Sequence, residues 1–210
     1  MPIIAVVGNK GGAGKTTLSI NLASGLHRHA STLLLDADPQ LSSLQWREIA
    51  GDRARLDVRD ASDDVAAQVS RHGDGYGYVV VDCPPSVQSE QTRQALACCD
   101  LAVIPVLPSP LDLWATVHVV RELDAARERN PGVQALLVVN QLEPRTNLSR
   151  IVHDALAEIE LPVAKTSITR RVAFRNAMLQ GCSVLDLGAQ AETSAQEIKQ
   201  LVNEVIDLHG

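Results

Sequence analysis

The sequence predicts an α/β fold: a doubly wound, mostly parallel sheet with helices on both faces. Three observations carry this. Short aliphatic runs alternate with segments of helical spacing, a glycine-rich turn follows the first run, and two later runs end in aspartate. Hydrophobic residues make up 45% of the chain and aromatics only 2%, so the core must be aliphatic, as suits parallel strands covered on both faces. The 210 residues are read as one domain, 1–210, large enough for a substantial core.

The first element is Ile3-Ile4-Ala5-Val6-Val7, which breaks into Gly8-Asn9-Lys10-Gly11-Gly12-Ala13-Gly14-Lys15-Thr16-Thr17 and resumes with helical spacing at Leu18, Leu22 and Leu26. Strand, turn and helix in this order make a P-loop. The glycines let backbone N–H groups face phosphate oxygens, and the helix N-terminus adds its positive dipole end. The cradle would comprise Gly11, Gly12, Ala13, Gly14, Lys15, Thr16 and Thr17, with Lys15 bridging the β- and γ-phosphates and the Thr16 hydroxyl on Mg²⁺. The loop departs from G-x-x-x-x-G-K-[ST] in having Asn9 at the first glycine position and a second lysine, Lys10, before Gly11. The pattern K-G-G-x-x-K-T resembles the deviant Walker A loop of the ParA/MinD class of ATPases, where the first lysine is the signature. One ammonium serves the loop's own nucleotide, so the other is free to reach the phosphates of a facing subunit, as an arginine finger does. The resemblance therefore implies an ATP-dependent homodimer, with ATP and Mg²⁺ as cofactors and Lys10 and Lys15 both catalytic.

The next strand, Ser31 to Leu35, runs into Asp36-Ala37-Asp38-Pro39-Gln40. Carboxylates at the carboxyl end of a parallel strand point into the ligand crevice. The stretch resembles the D-x-D-P-Q motif of ParA proteins, which implies that Asp38 orients the attacking water and Asp36 supports the Mg²⁺ shell. An acidic turn ahead of a helix starting near Ser42-Ser43 is the plainer alternative, with Ser42 as its cap. Arg47, Glu48, Asp52, Arg53, Arg55, Asp57, Arg59 and Asp60 alternate in sign and read as a solvated face. A short strand near Leu56–Val58 and a helix over Val65–Val69 follow, and the glycines at 73, 75 and 77 mark a loop.

Tyr78-Val79-Val80-Val81-Asp82 has the form of a Walker B strand, which makes Asp82 a Mg²⁺ partner acting through water or from behind the ion's ligands. Cys83-Pro84-Pro85 then gives a stiff exit. A helix over Glu90–Cys98 leads to a buried strand, Leu101 to Val106, and to Leu107-Pro108-Ser109-Pro110-Leu111-Asp112, which opens a helix reaching Arg127. The proline segment is similar to one in short ParF-type partition ATPases, where it lies by the nucleotide; this places Pro108 at the cofactor site. A rigid strand-to-helix connection is the competing explanation, and Trp114 is expected to pack. Ala135 to Val139 forms another strand, ending at Asn140-Gln141-Leu142-Glu143. A guanine site would carry N-K-x-D there; the missing lysine favours ATP, with Asn140 a candidate adenine contact.

The charge balance turns basic from Arg145, with Arg150, Lys165, Arg170, Arg171 and Arg175, although the chain is −6 overall. A local basic surface is what backbone phosphate binding requires. Resemblance to ParF-type proteins implies non-specific double-stranded DNA contact by Arg170, Arg171 and Arg175; solvated arginines, or arginines paired across a subunit interface, compete with it. The last helix, Ala191 to Leu208, is mainly acidic, unlike the basic membrane-binding helix of MinD-type proteins, so no membrane partner is expected and the helix should pack on the sheet. Cys83, Cys98, Cys99 and Cys182 have no C-x-x-C spacing and read as buried, reduced thiols. No signal peptide is evident and no apolar stretch is long enough to span a bilayer.

These features resemble the short ParF-like members of the ParA class over nearly the whole chain. The resemblance implies a cytoplasmic, nucleoid-associated ATPase for plasmid or chromosome segregation, released from DNA by a centromere-binding or cargo adaptor protein that stimulates hydrolysis. A MinD-like or protein-cargo positioning ATPase is the alternative, and a metabolic ligase of dethiobiotin-synthetase-like fold a further one.

Overall fold

The computed structural model describes residues 1–143, 152, 155, 156 and 158–208. Its sheet contains β1 (Ile3–Val6), β2 (Thr32–Asp36), β3 (Asp57–Asp60), β4 (Tyr78–Asp82), β5 (Leu101–Val106) and β6 (Gln134–Val139). They lie in the order β3-β2-β4-β1-β5-β6, every pair parallel. The named helices are α1 (Lys15–Leu26), α2 (Ser42–Ala50), α3 (Val65–His72), α4 (Glu90–Cys98), α5 (Pro110–Arg127), α6 (Val172–Gln180) and α7 (Glu192–Asp207).

Alternation along the strands divides the core in two. Ile4, Val6, Leu34, Val80, Val103 and Val138 face one layer with α1, α2, α6 and α7 residues; Ala5, Leu33, Leu35, Val81, Ile104 and Val139 face the other with α3, α4 and α5 residues. Because β1 is central, between β4 and β5, the turn that follows it lies beside the carboxyl ends of β4, β5 and, one strand further out, β2. Register pairs Val6 with Asp82 and Asp82 with Asp36, so the two strand-end carboxylates are direct neighbours.

Two local expectations change, the Ser42 cap and the packing of Trp114. Ser42 does not cap α2: it is the first helical residue, Leu41 precedes it with φ 53°, and Asp36 supplies the capping carboxylate from the strand. The acidic last helix, α7, packs beside α1 and shares one apolar layer with residues of β1, β5 and β6. Gly25 permits the approach, since a Cβ there would stand 2.5 Å from Val202 Cγ2. Trp114 does not pack: it is 69% exposed, between exposed Leu111 and Val117 on α5. Cys83 and Cys99 are buried, and burial raises both thiols, which disfavours the reactive thiolate. Among the described residues, no helix is long and apolar enough to cross a membrane.

Candidate functional site

The loop from Gly8 to Gly14 turns β1 into α1, and its backbone explains its glycines. Gly12 and Gly14 have φ of 80° and 82°, a region that costs an L side chain strain. Gly14 is required twice over, because a Cβ there would lie 2.7 Å from Asn140 Nδ2. Two amides from the end of β6 tie the loop down: Asn140 Nδ2 donates to the Ala13 carbonyl at 2.7 Å, and Gln141 Nε2 to the Gly12 carbonyl at 2.8 Å. Asn140 thus holds the loop with its amide nitrogen. Gln141, whose φ is 55°, is a site residue that sequence reasoning missed; no local motif marks it, since it works only because β6 ends against the loop.

Lys15 lies inside the cradle, 7% exposed, with Nζ donating to the Lys10 carbonyl at 3.0 Å. Burial lowers its pKa, and the facing charge of Asp82 works against that fall. Asp82 is fully buried and bonded by hydroxyls: Ser19 Oγ at 3.0 Å, Ser43 Oγ at 2.9 Å, and Thr16. Burial raises its pKa against these donors. Asp36 accepts backbone N–H bonds from Ser43 at 2.8 Å and Leu44 at 3.0 Å on one oxygen, and from Asp38 at 3.2 Å on the other. Burial pushes its carboxyl up to about 6, with the Leu44 N–H opposing and the Asp82 charge adding to the rise. Asp38 is half-buried, and its side chain accepts from the Gln40 N–H at 2.9 Å.

These groups fit a Mg²⁺-bound nucleotide. Mg²⁺ takes hard oxygen ligands, commonly one or two carboxylates with phosphates and waters, and here a threonine hydroxyl meets a buried carboxylate beside the phosphate cradle. Two adjacent acids with one buried lysine leave room for further positive charge. Among the described residues no group of three or more His, Cys, Asp or Glu could hold a metal, so phosphate would complete the shell.

Lys10 points elsewhere. Its ammonium pairs with Asp112 Oδ1 at 3.0 Å, in the first turn of α5, and its side chain is 39% exposed. Ser109 caps that helix, accepting from the Asp112 N–H at 3.3 Å, and Pro110 occupies its first position. Pro105, rather than Pro108, lines the narrow cleft between the loop and α5. Pro108 lies in the turn that joins β5 to α5.

A cavity of about 500 Å³ opens beside Gly14 and Thr17, with Ile168, Phe174 and Met178 among its apolar walls and Asn140 at its inner end. Its size and apolar lining suit a base. Arg170, Arg171 and Arg175 line the same cavity, so the expected DNA contacts stand at the loop end of the molecule. Arg170 pairs with Glu143 at 3.1 Å and Arg171 with Glu197 at 3.7 Å; among the described residues, exposed Arg175 has no such pair. Arg145 and Arg150 lie outside the described residues.

The acids of α7 explain how this wall is held. Glu197 accepts from Thr169 N at 3.1 Å and Thr169 Oγ1 at 2.7 Å, and Glu204 from the N–H groups of Lys165 and Thr166 at 2.7 and 2.8 Å. Glu197→Ala is therefore expected to destabilise the protein by about 1–3 kcal/mol and to weaken ATP binding. Urea melts and nucleotide titration would measure both; unchanged values in each would remove the anchoring role.

The CobQ/CobB/MinD/ParA nucleotide binding domain family matches residues 4–184. The chain belongs to the ParA/MinD family of ATPases. The matched model describes a nucleotide-binding domain, in keeping with the phosphate cradle around Lys15. It is 41% identical over 207 residues to maintenance of carboxysome distribution protein A of Halothiobacillus neapolitanus, covering 97% of this chain and 95% of that protein. It is 29% identical over 237 residues to the chromosome-partitioning ATPase Soj of Thermus thermophilus, covering 97% and 94%. In fold it is similar to the ATP complex of Cyanothece McdA, with TM-score 0.78, 15% identity and 99% and 96% of the two chains covered. It is likewise similar to MinD of Pyrococcus horikoshii with Mg-ADP, with TM-score 0.75, 20% identity and coverage of 100% and 97%.

Proposed function

We propose that this ParA/MinD-type ATPase positions a protein cargo. Two copies close face to face over ATP and Mg²⁺, the closed dimer holds non-specific double-stranded DNA, and an adaptor on the cargo stimulates hydrolysis and release. The observation that carries the switch is the different fate of the two loop lysines. Lys15 is buried in its own cradle, whereas Lys10 sits outside it on a single, partly exposed ion pair that a second copy can displace. In this reading Thr16 and Asp82 hold Mg²⁺, Asp36 fixes the start of α2 beside them, Asp38 orients the attacking water, and the exposed Leu111, Trp114 and Val117 are covered when two copies meet. Because ATP favours the closed dimer and ADP does not, hydrolysis resets the system.

The protein cargo is supported by the 41% identity to the carboxysome distribution protein along almost the whole chain. DNA segregation is the second reading, supported by the more distant likeness to Soj. Of the three arginines, Arg175 is the best placed to meet DNA, because it is exposed and unpaired among the described residues.

Size-exclusion chromatography with ATP, ADP or no nucleotide, followed by duplex-DNA binding across a salt series, tests the switch. An ATP-specific dimer with salt-sensitive DNA binding is expected, and a monomer in all states would sink it. Deleting the gene then separates the two readings. Mislocalised protein assemblies with normal replicon inheritance support the cargo; lost replicons with normal assemblies overturn it in favour of segregation.

A further inference from the structure

At the opposite end of the sheet from the phosphate loop lies a second cavity, of about 470 Å³. It opens between the last turn of α1, the turn that follows α2 and the segment after α6. Its walls include His27, Arg28, Arg53 and Arg55, against one carboxylate, Asp186. Arg53 and Arg55 belong to the sign-alternating stretch that reads as a solvated face; folding brings them together with the end of α1.

The single acid is already used. Asp186 Oδ1 accepts from Arg28 at 2.8 Å, and Oδ2 accepts from the N–H and hydroxyl of Ser183 at 3.1 and 2.5 Å. Arg28 also donates to the Leu185 carbonyl at 2.9 Å. Arg53 is steered by carbonyls at the end of α2, donating to Ala50 at 3.3 Å and Ile49 at 3.0 Å. Such bonds at a helix end account for Arg53 alone. Arg55 forms no hydrogen bond or ion pair among the described residues. His27 Nδ1 accepts from the Thr32 N–H at 3.4 Å, which leaves its Nε2 as the donor.

Trp46 is a reporter at this wall. It is part of the cavity wall, only 3% exposed, and its indole Nε1 is buried without a hydrogen-bond partner among the described residues. A buried orphan donor costs free energy unless an acceptor meets it. The donors open to the cavity are those of the arginines: Arg55 has no partner among the described residues, and Arg28 and Arg53 are only partly engaged.

We propose that this cavity is a second anion site that takes a phosphate group of a small molecule. Three guanidinium groups suit the charge and oxygen count of phosphate better than a single carboxylate ligand. A concave site of this volume fits a small ligand, whereas the convex backbone of duplex DNA would meet only its rim.

The test uses Trp114→Phe protein, in which Trp46 is the remaining tryptophan of the two. ADP is kept saturating, so that the phosphate loop is filled, and pyrophosphate is the titrant. Saturable binding by calorimetry, with a change in Trp46 emission, is expected. Arg55→Ala should weaken it by about tenfold or more, Arg55→Lys by less, and ADP affinity should stay unchanged in both. Absence of pyrophosphate binding would overturn the proposal, as would wild-type pyrophosphate affinity in both Arg55→Ala and Arg53→Ala. In a parallel arm, Arg55-dependent binding of a short duplex without pyrophosphate binding would also overturn it, by making this a surface for a polyanion.

Discussion

Lys15→Ala protein should lose ATP turnover by roughly 10²–10³-fold and bind a fluorescent ATP analogue far more weakly. Lys15 is the only lysine buried inside the loop, and its Nζ is held on the Lys10 carbonyl at 3.0 Å, where β- and γ-phosphate oxygens would take over from that carbonyl. The substitution has a second effect. The Lys15 charge is among the forces that hold the Asp82 carboxyl down against burial, so its removal pushes Asp82 further up and weakens it as a Mg²⁺ partner. Steady-state hydrolysis and nucleotide titration, with and without Mg²⁺, read out both parts. Turnover close to wild type would dismiss the assigned role.

Lys10→Ala should separate binding from closure. Nucleotide affinity of the single protomer should change little, since Lys10 is turned to Asp112 at 3.0 Å and not into the cradle. The ATP-dependent dimer, and hydrolysis with it, should fall by roughly 10³-fold if the ammonium acts across the interface as an arginine finger does. Breaking the Lys10 to Asp112 pair costs little by itself, because a lysine 39% exposed makes an ion pair worth about 0–1 kcal/mol. Asp112→Asn should therefore leave dimer formation intact or slightly favour it. Sedimentation velocity with ATP, on wild type and both variants, measures this. A normal dimer and normal turnover in Lys10→Ala would end the argument from the second lysine.

The strands and the phosphate loop were legible in the sequence because their signals are local. A run such as Val79-Val80-Val81-Asp82 declares both burial on two faces and a carboxylate at the strand end, and the glycines of 11, 12 and 14 declare a backbone that side chains would strain. The presence of Lys10, Lys15, Thr16, Asp36, Asp38 and Asp82 at one end of the sheet followed from those positions along their elements. What these side chains do to one another did not. That Asp36 caps α2, that Ser19 and Ser43 converge on Asp82 from two helices, and that Gln141 ties the loop depend on which strand lies beside which. The same holds for Trp114, which is expected to pack but stands exposed to solvent, and for Arg53 and Arg55, whose alternating charges hide a shared cavity with Arg28. Sequence alone determined the elements, the phosphate chemistry and the family, because periodicity, glycine placement and residue type act over a few neighbours. Only the tertiary structure decided the pairing of charges, the fate of each buried polar group and the exposed faces, because those depend on distances between residues far apart in the chain.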